Sequence, residues 1–179
     1  ESGIQPDILV CRTEHVLSEN IKMKIARFCN VEIDAVIESK DASTIYEVPL
    51  LMKEQKLDQV VLKKLNVKIK KEIKLTKWTN FLNALKKPEK NIEIGVVGKY
   101  VELQDAYKSI SESLIHAGAK QLCKVNIKWI HAEKIKESNV EKNLKKLNGV
   151  LVAPGFGGRG LDGKIIAIKY VRENNIPFF

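Results

Sequence analysis

From residue 92 to residue 179 short apolar runs alternate with amphipathic ones, and that alternation leaves few folds open. "IEIGVVGKY" (92–100) reads as a strand with a glycine at its exit. "DAYKSISESLIHAGAK" reads as a helix capped by Asp105, with Ala106, Ile110, Leu114 and Ala117 as its stripe and Gly118 near its end. "KVNIKWIHAEKI" contains a strand in which Val125, Ile127 and Trp129 alternate, and "NVEKNLKKL" is helical. "GVLVAP" is apolar enough for a strand buried on both faces, "DGKIIAIKYVREN" is a helix, and "IPFF" begins a further strand. This β-α-β order predicts a doubly wound parallel sheet, whose ligands sit beyond the carboxyl ends of its strands. The loops "GKYVELQD" and "APGFGGRG" both fall at such ends.

The first 66 residues follow the same pattern. "DILVCR" and "DAVIES" are strand candidates, and between them "SENIKMKIARFC" is a helix with Ser18 as its N-cap and Ile21, Ile25 and Phe28 on one apolar face. "STIYEVPLLMKEQ" reads as helical with a kink or restart at Pro49, and "LDQVVLKKL" as a short helix with Leu57, Val60, Val61 and Leu65 on one side. The predicted class is α/β: partial doubly wound parallel sheets in two partial domains, 1–66 and 92–179, joined by a helical linker, 67–91. The linker helix is "LTKWTNFLNALKK", ended by Pro88, with Leu75, Trp78, Leu82 and Leu85 at helical spacing and Trp78 and Phe81 as packing residues.

Composition narrows the functions. Residues 67–91 carry eight basic against two acidic residues, so most of the net charge of +9 collects in the linker. A lysine-rich connector and a nucleic-acid surface both fit such a segment, but no aromatic-basic interleaving or DNA-binding motif accompanies it, which weighs against nucleic acid. No apolar run reaches the roughly 20 residues that span a bilayer, so no membrane partner is expected, and the opening Glu1–Asp7 has no secretory pattern. Cys11, Cys29 and Cys123 are odd in number and lack C-x-x-C spacing, and the three histidines are scattered. Neither a disulfide framework nor a metal site is predicted, and a reducing compartment fits.

Gly155 to Gly160 spell G-x-G-x-x-G. A dinucleotide fingerprint needs the first strand of its unit and a helix opening directly on the glycines, whereas this strand is the third of its half and helical signals resume only near Asp162. A phosphate loop needs Gly-Lys-Ser or Gly-Lys-Thr after the glycines, which is absent. Two readings remain. One is a plain turn. The other is a loop whose bare backbone approaches a ligand, such as an oxyanion hole, where one N–H donor is worth about 3–4 kcal/mol.

"VGKYVELQDAYKSISESLIHAG" and "VAPGFGGRGLDGKIIAIKYVRENNIPFF" resemble the start of the glutaminase domain of the CTP synthases, and "GIQPDILVCR", "KIARFCNV" and "KDASTIYEVPLLM" resemble the end of their amidoligase domain. The resemblance implies an internal fragment of a cytoplasmic, homotetrameric enzyme that aminates UTP to CTP. That enzyme uses ATP and Mg²⁺, takes ammonia from glutamine, is activated by GTP and is inhibited by CTP. It implies that Lys24 contacts UTP or CTP, a role a lysine suits as a point charge for phosphate. It further implies that Lys40, Asp41 and Ala42 line the ATP adenine with Arg12 beside them, that Gly155 binds glutamine and helps form the oxyanion hole, that Phe156 and Arg159 contact GTP, and that Lys99 and Lys108 couple the domains. Where many relatives read Pro-Gly-Gly-Phe-Gly, this chain has Ala153-Pro154-Gly155-Phe156-Gly157, and Pro154 removes one backbone donor. The nucleophilic cysteine is expected just beyond Phe179 and the phosphate loop and Mg²⁺ carboxylates before Glu1, so the 179 residues alone are expected to be inactive. The alternative is a non-catalytic binding or assembly module of the same fold.

Overall fold

A computed structural model describes residues 3–68 and 71–179, so Glu1 and Ser2 of the opening and Ile69 and Lys70 of the predicted linker lie outside it. The chain divides into two compact units, Glu1–Trp78 and Thr79–Phe179.

In the first unit, β1 (Leu9–Thr13) and β2 (Val36–Lys40) pair in parallel, with Leu9 opposite Val36 and Thr13 opposite Lys40. Helix α1 (Glu19–Phe28) connects them, and the Ser18 hydroxyl accepts from the Ile21 N–H as expected of an N-cap. The predicted apolar face of this helix is not its buried face. Ala26 is buried, whereas Ile21 is 46% and Phe28 87% exposed. The small Ala26 takes the most buried position, Ile25 beside it is half-buried, and Ile21 and Phe28 turn outward. Pro49 restarts the chain rather than kinking it: a 3₁₀ turn (Ile45–Glu47) gives way to α2 (Val48–Glu54) with the proline in its first turn, where no N–H is missed. Helix α3 (Leu57–Lys64) buries Val60. The outer edge of β2 is closed by a side chain, since the Gln55 amide accepts from the Glu38 N–H at 2.7 Å and donates to the Glu38 carbonyl at 2.5 Å. In the first turn of helix α4 (Thr76–Lys86) the Trp78 indole N–H donates to the Tyr46 carbonyl at 2.7 Å.

The second unit is a three-stranded parallel sheet, β3 (Lys90–Gly98), β4 (Cys123–His131) and β5 (Gly149–Val152), in the order β4-β3-β5. Phe178 bridges to Val150 on the far side of β5, so the terminal "PFF" runs parallel beside it, as the "IPFF" reading expects. Helix α5 (Lys108–Lys120) covers one face with Val96, Tyr107, Ile110, Leu114 and Leu151. Helices α6 (Val140–Leu144) and α7 (Leu161–Glu173) cover the other, with Val97, Leu144, Val150, Ala167 and Val171. Val96 and Val97 are neighbours in sequence yet both fully buried, one in each layer, so β3 shares the double-sided burial that the "GVLV" run predicts for β5.

Two details of the α5 reading are corrected. Asp105 does not cap the helix: a 3₁₀ turn (Gln104–Tyr107) precedes it and Tyr107 takes the N-cap position. Ala106 and Ala117 of the predicted stripe are exposed, while Tyr107, Gly118 and Ala119 are buried. The tight turn is what brings the Tyr107 ring under the end of β3, where its hydroxyl accepts from the Lys99 N–H at 3.0 Å.

Helix α7 can lie where it does only because residue 163 has no side chain, since a Cβ there would stand 1.8 Å from the Ala132 carbonyl oxygen. Gly158 faces open space at an ordinary backbone angle. Gly163→Ala is therefore expected to destabilise the unit by about 3 kcal/mol, and Gly158→Ala by no more than about 0.5 kcal/mol. Urea unfolding of the two variants measures both values.

Candidate active site at the glycine loop

The connections from β3 to β4 and from β4 to β5 run in opposite directions across the sheet, so the topological switch point lies between β3 and β5. Ligands of doubly wound sheets settle in the crevice beyond the strand ends at such a point. Here β3 delivers Gly98 and Lys99, and β5 delivers Ala153 and the glycine loop. Ala153 N–H donates to the Val97 carbonyl at 2.9 Å, which fixes where the loop departs.

Beneath the loop lie two buried lysines. Lys99 is 4% exposed and Lys164, in the first turn of α7, 7%. The Lys99 ammonium donates to the carbonyls of Phe156 at 2.5 Å and Gly157 at 3.0 Å, and the Lys164 ammonium to the Ala153 carbonyl at 2.7 Å. Neither has a carboxylate partner among the described residues. A Cβ on Gly155 would lie 3.7 Å from Lys99 Cε and 3.8 Å from Lys164 Nζ, so both cations stand just behind that glycine. A trans peptide points its N–H opposite to its carbonyl. With the Phe156 and Gly157 carbonyls turned toward Lys99, the N–H groups of Gly157 and Gly158 turn away from it. From Gly155 to Gly160 no backbone N–H finds an acceptor among the described residues. Gly157 and Gly160 adopt left-handed angles, φ 77° and 72°, which a side chain would strain.

The other predicted positions fall as follows. Phe156 is fully exposed at the loop tip. Arg159 donates through Nε to Glu133 Oε1 at 2.5 Å, which ties the loop to the segment after β4. Lys108 opens α5 and pairs with Glu112 at 2.8 Å, a contact that raises its pKa above the ordinary lysine value. In the first unit Arg12, Lys40, Asp41 and Ala42 gather at the carboxyl ends of β1 and β2. Arg12 forms an ion pair with Asp41 and donates to the Ser39 carbonyl at 3.4 Å. Both charged partners are mostly exposed, so the pair orders the strand ends more than it stabilises them. Lys24 stands exposed on α1 with no hydrogen-bonding or ionic partner among the described residues. A cleft of about 600 Å³ in this unit, lined among others by Lys22, Asp34, Gln59 and Lys63, includes none of these positions.

Three features of the second unit escaped the sequence reading. Lys164 had a signal, for it falls three and seven residues before the buried Ala167 and Val171 and so belongs to the buried stripe of α7. Tyr107 packs on Trp129 with ring centroids 5.9 Å apart, and a Cβ at Gly98 would meet the Tyr107 hydroxyl at 2.6 Å. His131, at the end of β4, contacts Glu102 at 2.7 Å through Nε2, while its buried Nδ1 has no partner among the described residues.

Residues 102–179 match a family described as glutamine amidotransferase class-I, and residues 1–67 one described as CTP synthase N-terminus. An amidotransferase-type unit thus follows a synthetase-type one. Curated CTP synthases match along the chain: that of Cytophaga hutchinsonii is 59% identical and that of Flavobacterium johnsoniae 61%, each over 100% of this chain and 33% of the relative. That of Methanocaldococcus jannaschii is 53% identical over 98% of this chain and 34% of the relative. A solved Trypanosoma brucei CTPS glutaminase domain with bound acivicin is 33% identical, with a TM-score of 0.46, over 49% of this chain and 35% of that one. The two family matches and these relatives agree in pointing to CTP synthase, and the chain spans about a third of the length of the curated relatives it matches.

Burial, and then the neighbouring Lys99 charge, push the Lys164 pKa below the ordinary lysine value of 10.5. The unfolded chain therefore keeps this proton to higher pH than the folded one. The resulting destabilisation is full below the folded pKa and fades as pH climbs toward 10.5. Compared with Lys164→Met by urea unfolding from neutral pH upward, the native chain is expected to gain relative stability as pH rises. A difference that stays flat or shrinks contradicts the burial of a charged Lys164.

Proposed function

We propose that this chain is the segment of a CTP synthase that joins the end of its synthetase domain to the start of its glutaminase domain. In the whole enzyme ATP activates UTP, and ammonia released from glutamine replaces the activated oxygen to give CTP. The observation that carries the reading is the glycine loop: bare amides without acceptors among the described residues, at the switch-point crevice, next to a terminal strand hydrogen-bonded to β5. Such amides suit the oxyanion that forms when a nucleophile attacks the glutamine side-chain carboxamide, and the buried lysines behind Gly155 add a favourable field. The attacking cysteine belongs to the part of the enzyme that continues the Phe178–Phe179 strand.

Under this reading Gly155 binds glutamine and contributes to the oxyanion hole, while Phe156 offers an aromatic face and Arg159 a cation to GTP. Lys99 and Lys108 transmit the state of the glutaminase domain to the synthetase domain. Arg12, Lys40, Asp41 and Ala42 border ATP, and Lys24 meets the phosphates of UTP or of the inhibitor CTP. Among the described residues no group of three or more His, Cys, Asp or Glu gathers to hold a metal, so no step through Mg²⁺ is assigned to them. The enzyme works as a cytoplasmic homotetramer.

Gly155 has an ordinary backbone angle and room for a methyl group, so Gly155→Ala leaves the fold intact while setting that methyl against the two lysines that back the loop. In the complete enzyme it is expected to lower glutamine-dependent CTP synthesis roughly 100-fold and to leave synthesis from added ammonia unchanged. Equal loss of both rates, or loss of neither, rejects the role of the loop. Lys24→Ala is expected to weaken UTP binding roughly tenfold or more without reducing glutamine hydrolysis, as binding and glutaminase assays on the same protein can establish; unaltered UTP affinity removes Lys24 from the site.

A further inference from the structure

Two buried lysines with no carboxylate partner among the described residues must find other acceptors, because a buried polar group left unpaired is costly. Both spend their donors on the backbone of one short segment. Lys99 holds the carbonyls of Phe156 and Gly157, and Lys164 the carbonyl of Ala153. Apart from the Arg159–Glu133 ion pair at its far end, the loop tip is unsupported: a Cβ at Gly157 or Gly158 would meet nothing within 4 Å, and the Phe156 side chain packs on nothing. Glycine-rich backbone of this kind has no intrinsic preference for one peptide orientation over its reverse.

We propose that Lys99 and Lys164 are positioning residues that fix the direction of the loop peptides from below, so that the amides of Gly157 and Gly158 stay turned to the crevice. Lys164 clamps the root of the loop at the end of β5. Lys99 spans two consecutive carbonyls at the tip, and a rotation of either peptide would carry its carbonyl off the ammonium and swing the following N–H inward. Lys99 reaches this position because its own N–H is held by the Tyr107 hydroxyl at the glycine exit of β3. The functional part of the inference rests on the glutaminase reading; the structural part does not.

The test begins with the native 179-residue chain labelled with ¹⁵N and ¹³C. The Lys99 and Lys164 ammonium protons are expected to exchange slowly enough with water to be observed, with couplings across the hydrogen bonds to the carbonyl carbons of Phe156, Gly157 and Ala153. Rapid exchange of the Lys99 ammonium with no such coupling overturns the proposal without any variant having to fold. In Lys99→Met, the amide resonances of Gly157 and Gly158 are expected to move while those of β3 and β5 stay; unmoved glycine amides also overturn it. In the complete enzyme the same substitution is expected to lower glutaminase kcat roughly 100-fold with KM nearly unchanged, since transition-state donors are lost rather than glutamine contacts. If the amides move but kcat holds, the positioning stands and the catalytic reading of the loop fails.

Discussion

Strand β3 is hydrogen-bonded along both edges, to β4 over its whole length and to β5 over its second half, and the second unit takes its geometry from that double pairing. Parallel pairing on both sides forces both faces to be covered, which is why Val96 and Val97 enter opposite layers. It also sets the level at which neighbouring strands end: Gly98 stands opposite His131, and Val97 opposite Val152. The residues just beyond those ends converge without any further device. Lys99, the glycine loop and the His131–Glu102 pair all belong to that layer.

What was legible in the sequence follows from periodicity. Strands buried on both faces leave continuous apolar runs, as "GVLV" does, whereas the double-sided burial of "GVV" in β3 emerges only from the fold. Four glycines in six residues marked the loop in the sequence but left a plain turn and a backbone approaching a ligand both open. Helix faces were less so. The Ile21–Ile25–Phe28 stripe has the right spacing, yet spacing only says that side chains share a face, and Ala26 takes the buried side. Asp105 has the chemistry of a cap, but the demand that Tyr107 reach the end of β3 tightens the turn and moves the helix start past it.

The two lysines show the limit from the other side. A lysine at the exit of a strand ordinarily reaches solvent, and nothing adjacent to Lys99 in sequence announces that its partners lie 57 and 58 residues further on. Lys164 is partly visible as a cation on a buried stripe, but the stripe alone cannot name the carbonyl it serves. Sequence thus discloses the loop, while only tertiary placement discloses what holds the loop in one conformation.

In the first unit the Gln55 carboxamide occupies the outer rim of β2 by satisfying both backbone groups of Glu38. A side chain that mimics one residue of a neighbouring strand blocks that rim to real strands, so the two-stranded sheet has a polarity of growth. A strand approaching β2 at Glu38 would first have to displace a single glutamine, a barrier that β1 does not raise in the same way.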